Sequence, residues 1–285
     1  MSFTKRVFEH KKGRMNYRHA FHAGNFADVV KHLAWIETLS YLRRKPKPFA
    51  VIDTHAGSGL YDLSGEEAVR TGEAAGGILS LDLAGLPGGD PLRKTYLGLC
   101  GDARAYPGSP LIAARMLRAE DRLVAVEKHP EDAAALKIAL RPFRRVRALC
   151  ADGYASLADL LPPPERRGAI LIDPPFEEPD EFAALARAFA AAYRRFPTGV
   201  YLLWFPLKSP AEAERFCGEV LAAGVRKALR LDVALNAPEA EKLAAAGLLA
   251  VNPVYGFEAD MRAALAPMLP RMDCTVRFDR LAGRE

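Results

Sequence analysis

GAILIDPPFEEPDEFAALARAFAAAYRRF, residues 168–196, carries a strand, an abrupt stop and a helix in one run. Gly168–Ile172 is aliphatic without polar alternation, as in a strand buried on both faces of a parallel sheet. The run then meets Asp173 and the diproline Pro174-Pro175. Proline lacks an amide donor and fixes φ, so neither a helix nor a central strand continues through the pair. From Asp180 to Phe196 the apolar residues return at helical spacing. A strand handed over to a helix across a rigid elbow is the repeating piece of an α/β fold.

The alternation extends in both directions. PFAVID (48–53), RLVAVE (122–127), RVRALC (145–150) and GVYLLWF (199–205) read as further strands. SPLIAARMLRAE (109–120), PEDAAALKIAL (130–140) and SPAEAERFCGEVLAAG (209–224) have helical period and open with Ser or Pro,. The last ends on Gly224, a C-cap candidate. The pattern predicts a doubly wound α/β sheet. Residues 62–106 break it, with Gly65, Gly72, Gly76-Gly77 and Gly88-Gly89 among charged stretches, and are expected to be an insertion after the first strand. Beyond residue 225, VRKALRLDVAL, GLLAVNP and CTVRFD are expected as added strands, some antiparallel.

Composition narrows the function classes. The chain has 285 residues, 50% of them apolar and 26% charged, which suits a globular protein with a large core,. No apolar run reaches the ~18–20 residues of a membrane span. Residues 1–20 have no apolar signal region, so a cytoplasmic protein is expected. Cys100, Cys150, Cys217 and Cys274 lie far apart with no CxxC pair, so neither a disulfide framework nor a metal site is expected,. Formal net charge is +5. Lys5, Arg6, Lys11, Lys12, Arg14 and Arg18 stand against Glu9 alone in the first 18 residues, and further clusters lie at 141–147, 166–167 and 194–195. Such clusters suit a polyanionic partner, and solvated loop ends are the plainer reading of each.

In an open parallel sheet, ligands bind beyond the carboxyl ends of the strands. The first strand ends in DTHAGSG (53–59), where glycines let the backbone turn and approach a ligand,. The second ends in Glu127, an acid suited to ribose hydroxyls if residues 62–106 account for its distance from Gly57. The third ends in Asp152-Gly153, either a helix cap or a partner for an adenine amino group. The fourth ends in Asp173-Pro174-Pro175-Phe176. A rigid turn explains the prolines but not the acid and aromatic beside them. An exocyclic nucleobase amine explains all of them. Its lone pair is delocalised into the ring. Asp173 accepting one N–H, and the Pro174 carbonyl the other, draw the nitrogen towards sp³ geometry for attack on an activated methyl group. Phe176 stacks on the base.

DTHAGSG followed by DPPF resembles the S-adenosylmethionine-dependent methyltransferases of exocyclic amines, whose catalytic motif is (Asp/Asn/Ser)-Pro-Pro-(Tyr/Phe/Trp). NYRHAFHAGNFADVVKH (16–32) is similar to the start of the bacterial RlmJ family, which methylates N6 of one adenine in 23S ribosomal RNA. Matching stretches follow in order: PFAVIDTHAGSGLYDL (48–63), VRTGE (69–73), YPGSPLIA (106–113), EKHP (127–130), ADGY (151–154), RRGAILIDPPF (166–176) and YLLWFP (201–206). The resemblance implies a Rossmann-like class I methyltransferase with a small, largely helical insertion. It implies S-adenosyl-L-methionine as cofactor, with Lys31, His32, His55, Gly57, Ser109, Glu127, Asp152, Gly153 and Asp173 at its site. It implies Asp173 as the catalytic residue and Tyr17 as a contact to the RNA.

Two departures stand out. The family's usual tyrosine is Phe176 here, which keeps stacking and loses a phenolic hydrogen bond. The resemblance begins at about residue 15. Residues 1–14 are therefore expected to be a disordered basic arm or to lie upstream of a native start at Met15, with 15–285 one methyltransferase domain. The expected partner is 23S rRNA, naked or in an assembly intermediate, with no obligate protein partner. The alternatives are a DNA amino-methyltransferase, a catalytically silent RNA-binding relative, and a nicotinamide enzyme, which would give DPPF no role.

Overall fold

The computed structural model describes residues 22–81, 86, 89–239 and 242–281. The basic arm of residues 1–14, Met15 and Tyr17 lie outside them. Asn25 opens α1 (Phe26–Arg43): its side chain accepts the Asp28 amide, and Asp28 adds a carboxylate to the first turn, where the helix dipole favours one,. β1 (Ala50–Asp53) follows, buried along its whole length. Next come β2 (Leu60–Tyr61), α2 (Glu66–Thr71), α3 (Pro91–Cys100) and β3 (Tyr106–Pro107), with short 3-10 turns between them. Asp90 caps α3 by accepting the Arg93 amide, and Pro91 sits where a missing N–H costs nothing,.

The alternating part of the chain gives α4 (Ser109–Met116), β4 (Arg122–Glu127), α5 (Pro130–Leu140), β5 (Val146–Cys150), α6 (Gly153–Leu160), β6 (Gly168–Ile172), α7 (Glu181–Arg195), β7 (Val200–Pro206) and α8 (Pro210–Ala222). Then follow β8 (Ala228–Leu235), β9 (Ala245–Val251), α9 (Phe257–Leu265) and β10 (Cys274–Leu281). Gly224 takes φ 92 just past the end of α8, the left-handed conformation expected of it,. The helix expected over 109–120 stops earlier, at Met116. Arg118 folds back instead, donating from Nε and Nη2 to the two oxygens of Asp121 at 2.8 and 2.9 Å. Asp121 also accepts the Phe49 amide and so ties the start of β4 to that of β1.

The main sheet has the order β10-β8-β9-β7-β6-β1-β4-β5. β5, β4, β1, β6 and β7 are parallel, while β9 and β8 join antiparallel and β10 pairs antiparallel with β8. Side chains alternate between two cores. Val51, Ala169 and Leu171 point to the layer holding α1, α4 and α9, through Leu33, Ile112 and Met261,. Ile52, Ile170 and Ile172 point to the layer of α6, α7 and α8, through Leu157, Phe189 and Phe216. Burying each of the Val, Leu and Ile side chains among these contributes about 1.5–3 kcal/mol. α3 brings Leu92, Tyr96 and Cys100 into the first core against α1.

Candidate active site

The chain leaves β1 for β4 on one side, and returns after β5 to place β6 on the other. β1 and β6 are therefore the switch point, where the crossovers diverge and a crevice opens above the strand ends. The Thr54 amide still bonds the Leu171 carbonyl, at 3.1 Å. Asp173 comes next after β6, and the prolines end its pairing with β7 at Ile172–Leu203. β7 runs on through Trp204 to Pro206, paired now only with β9. Trp204 thereby stands beside the elbow. Phe176 adopts φ 50, unusual for a bulky side chain and a mark of strain at a working site,. Its ring lies 4.8 Å from Phe182 and 6.0 Å from Trp204, each inclined at 66°.

α1 reaches the elbow from the other direction. Lys31 Nζ donates to Asp173 Oδ2 at 2.6 Å and lies 2.7 Å from Asp28 Oδ1. Lys31 and Asp28 are each only 3% exposed. Burial pulls the ammonium towards neutrality, but the Asp173 and Asp28 carboxylates more than offset it, so Lys31 is held firmly charged,. Asp28 Oδ2 accepts the Gly24 amide at 2.9 Å. His32 Nε2 lies 3.5 Å from the same Asp28 Oδ1, and His32 Nδ1 is 3.0 Å from the Tyr106 hydroxyl.

Two cavities meet at this point. One, of about 540 Å³, is lined by His55, Gly57, Glu127, Asp152, Gly153 and Tyr154 among others. The second, of about 600 Å³, is lined by Asp28, Lys31, Phe176, Trp204, Lys208 and Lys242 among others. Asp173, Pro175 and Glu177 line both. The carboxylate is the shared wall.

The first cavity is acidic and built from backbone-anchored groups. Gly57, at φ 60, donates its amide to Glu127 Oε2 at 2.8 Å, and His129 donates its amide to Oε1 at 2.7 Å. Asp152 caps α6 by accepting the Ala155 amide, and its other oxygen is 3.1 Å from Lys128 Nζ. Its partial burial opposes ionisation, but those bonds outweigh it and hold the carboxyl below its usual range. A Cβ on Gly153 would lie 2.1 Å from the Thr54 carbonyl oxygen, so only glycine lets α6 start this close to the β1 loop,. His55 stacks edge-on against Tyr154 at 5.0 Å, and burial lowers its pKa to about 4. Its imidazole is neutral near pH 7.

Of the residues nominated from the sequence, His55, Gly57, Glu127, Asp152, Gly153 and Asp173 line the acidic cavity. Lys31 and Phe176 line the other, and Pro174 sits between Asp173 and the shared Pro175. His32 and Ser109 line neither. His32 is packed between Asp28 and Tyr106, and the Ser109 hydroxyl donates to buried Asp53 Oδ2 at 2.7 Å. Burial raises the pKa of that Asp53 carboxyl to about 7. Asp28 and Trp204 were not nominated. Asp28 had one available signal, a place three residues before Lys31 on one helix face.

A family model described as Ribosomal RNA large subunit methyltransferase D, RlmJ, matches residues 46–274. The chain belongs to the RlmJ family. Ribosomal RNA large subunit methyltransferase J of Escherichia coli (strain K12) is 40% identical over 254 residues, spanning 87% of this chain and 90% of the relative. The protein of the same name from Haemophilus influenzae is 37% identical over 256 residues, with the same coverage. Among solved structures, protein LPL1258 of Legionella pneumophila matches with a TM-score of 0.83 and 32% identity, over 93% of this chain and 99% of that one. The fold is the Rossmann-like methyltransferase fold that the resemblance implied, built on the doubly wound sheet that strand alternation predicted. The cofactor of this RlmJ-family chain is S-adenosylmethionine, and the acidic cavity fits it. Glu127 and Asp152 offer acceptors for hydroxyl and amino groups, the carboxylates suit a sulfonium cation, and neutral His55 adds no opposing charge.

Proposed function

We propose that the chain methylates the exocyclic N6 of an adenine in 23S ribosomal RNA, in the cytoplasm, with Asp173 as the catalytic residue. One observation carries the reading: Asp173 stands between an acid-lined cavity and an aromatic one with lysines at its rim. The first holds S-adenosylmethionine through Glu127, Asp152 and the Gly57 and Gly153 backbone. The second takes the target adenine, swung out of its RNA helix or loop and stacked on Phe176 and Trp204.

S-adenosylmethionine supplies a methyl group made electrophilic by its sulfonium. The chain's own residues do the rest. Lys31 holds one oxygen of Asp173, which fixes the carboxylate plane and leaves the other oxygen for an N6–H. The Pro174 carbonyl accepts the second N6–H, and the prolines prevent the two acceptors from moving apart. The nitrogen lone pair is withdrawn from the ring and gains nucleophilicity. Carboxylate and carbonyl together stabilise the positive charge that develops on the nitrogen. Lys208 and Lys242 at the rim face the RNA backbone,.

The test is nucleoside mass spectrometry on unmodified 23S rRNA after incubation with the chain and S-adenosylmethionine, in parallel with large subunits and with duplex DNA. N6-methyladenosine in RNA, and none in DNA, is the expected result. Methylated cytosine, or transfer to DNA alone, contradicts the assignment. Comparison of protein-free rRNA with subunits shows at which stage the adenine is accessible.

A further inference from the structure

The ion pair at Asp173 poses a charge problem. Lys31 fixes Asp173 but also cancels its charge, and a carboxylate–ammonium pair is neutral as a whole. Methyl transfer from a sulfonium to an amine places positive charge on both reacting groups, so a neutral pair serves it poorly. Asp28 resolves this. Its Oδ1 is 2.7 Å from Lys31 Nζ, which itself is 2.6 Å from Asp173 Oδ2, so one ammonium lies between two carboxylates. The Gly24 amide holds the other Asp28 oxygen, and the start of α1 fixes the backbone beneath it. Asp28 is nearly fully buried, so little water screens it,.

We infer that Asp28 is a positioning residue that acts through Lys31: it restores net negative charge to the Lys31–Asp173 pair and holds the ammonium in place. The inference rests on the methyltransferase reading. His32, 3.5 Å from Asp28 and backed by Tyr106, is the buttress of this arrangement and not a wall of either cavity. The three side chains come from one turn of α1, at positions 28, 31 and 32, so α1 is the element that tunes the catalytic carboxylate.

The experiment compares affinity for S-adenosylmethionine with affinity for S-adenosylhomocysteine, the neutral thioether, in wild type, Asp28→Asn, Lys31→Met and the double variant. Asn keeps the shape of Asp28 and removes its charge. Asp28→Asn is expected to weaken the sulfonium ligand roughly 3- to 10-fold relative to the thioether, from the loss of one poorly screened charge. Removal of Lys31 in the same chain should return the ratio towards wild type, because one cation and one anion then leave together. A merely structural role would shift both ligands equally. An unchanged ratio in folded Asp28→Asn, or a ratio in the double variant no nearer wild type than in Asp28→Asn, overturns the inference. These affinities need no RNA, so they separate it from the substrate assignment, which fails if wild type leaves 23S rRNA unmethylated. In single turnovers on rRNA, Asp28→Asn is expected to slow transfer by about 10- to 100-fold, with RNA affinity unchanged.

Discussion

The two cavities that meet at Asp173 are similar in size and opposite in build. The acidic one is made at the ends of β1, β4 and β5 and rests on backbone: Gly57 and His129 amides on Glu127, an α6 amide on Asp152, and a glycine that lets helix and loop touch. The aromatic one is made where β6 stops short of β7, and rests on side chains: Phe176, Trp204, Lys208 and Lys242. Backbone-anchored carboxylates suit a small ligand that is always the same. Rings and flexible lysines suit a nucleotide presented by a large polymer. On the proposed reading, cofactor recognition belongs to the strand ends and substrate recognition to the frayed edge.

Substitutions should therefore separate cleanly by side. The largest effect belongs to the shared wall: Asp173→Ala is expected to slow methyl transfer by about 100- to 1,000-fold, with affinity for the neutral thioether S-adenosylhomocysteine near wild type by calorimetry. Comparable transfer in this variant breaks the comparison outright. Glu127→Ala removes charged acceptors on the acidic side, a loss of about 1.5–3 kcal/mol. Cofactor affinity should drop roughly 10- to 150-fold, and RNA retention on filters should not change. Trp204→Ala is the mirror experiment. Loss of one stacking surface costs about 1–3 kcal/mol, which should appear in RNA affinity while cofactor titrations overlay. Weaker cofactor binding in this variant would mean that the cavities are one site.

The smallest effect is a pH dependence on the acidic side. Burial depresses His55 from 6.5 to about 4, so the unfolded chain takes up a proton that the folded chain refuses,. That contribution is fully present above pH 6.5 and is lost as pH falls towards 4. Melting temperature should decline over this window, and His55→Gln should flatten the decline. Between pH 6 and 9 the pH profile of cofactor affinity should be the same in His55→Gln as in wild type. A wild-type titration that this variant loses would place charge on His55 and contradict its neutral state.

The acidic side was also the legible side. Gly57, Glu127, Asp152 and Asp173 each follow a run of aliphatic residues, and a strand end is a local pattern with a known consequence in a parallel sheet. The aromatic side was not legible from local pattern. Phe176 was visible only because it follows the prolines. Trp204 gains its position from β6 ending one pairing step earlier, which nothing near residue 204 announces. Lys31 meets Asp173 across 142 residues of chain, a contact set by how α1 crosses the sheet. Periodicity carries no trace of it, and only likeness to a family drew attention to Lys31, His32 and Ser109. Of these three, only Lys31 lines either cavity. The antiparallel order β9, β8, β10 was equally hidden, since an apolar run does not encode its neighbours,.

The most direct test is a crystal structure with a bisubstrate compound, an adenosine joined through N6 and a short linker to an atom that replaces the sulfur of S-adenosylmethionine. The cofactor half should lie beside Glu127 and Asp152, the other adenine against Phe176 and Trp204, and the joining nitrogen within hydrogen-bond distance of Asp173. Both halves in one cavity, or a linkage remote from Asp173, would contradict the division of labour between the two sides.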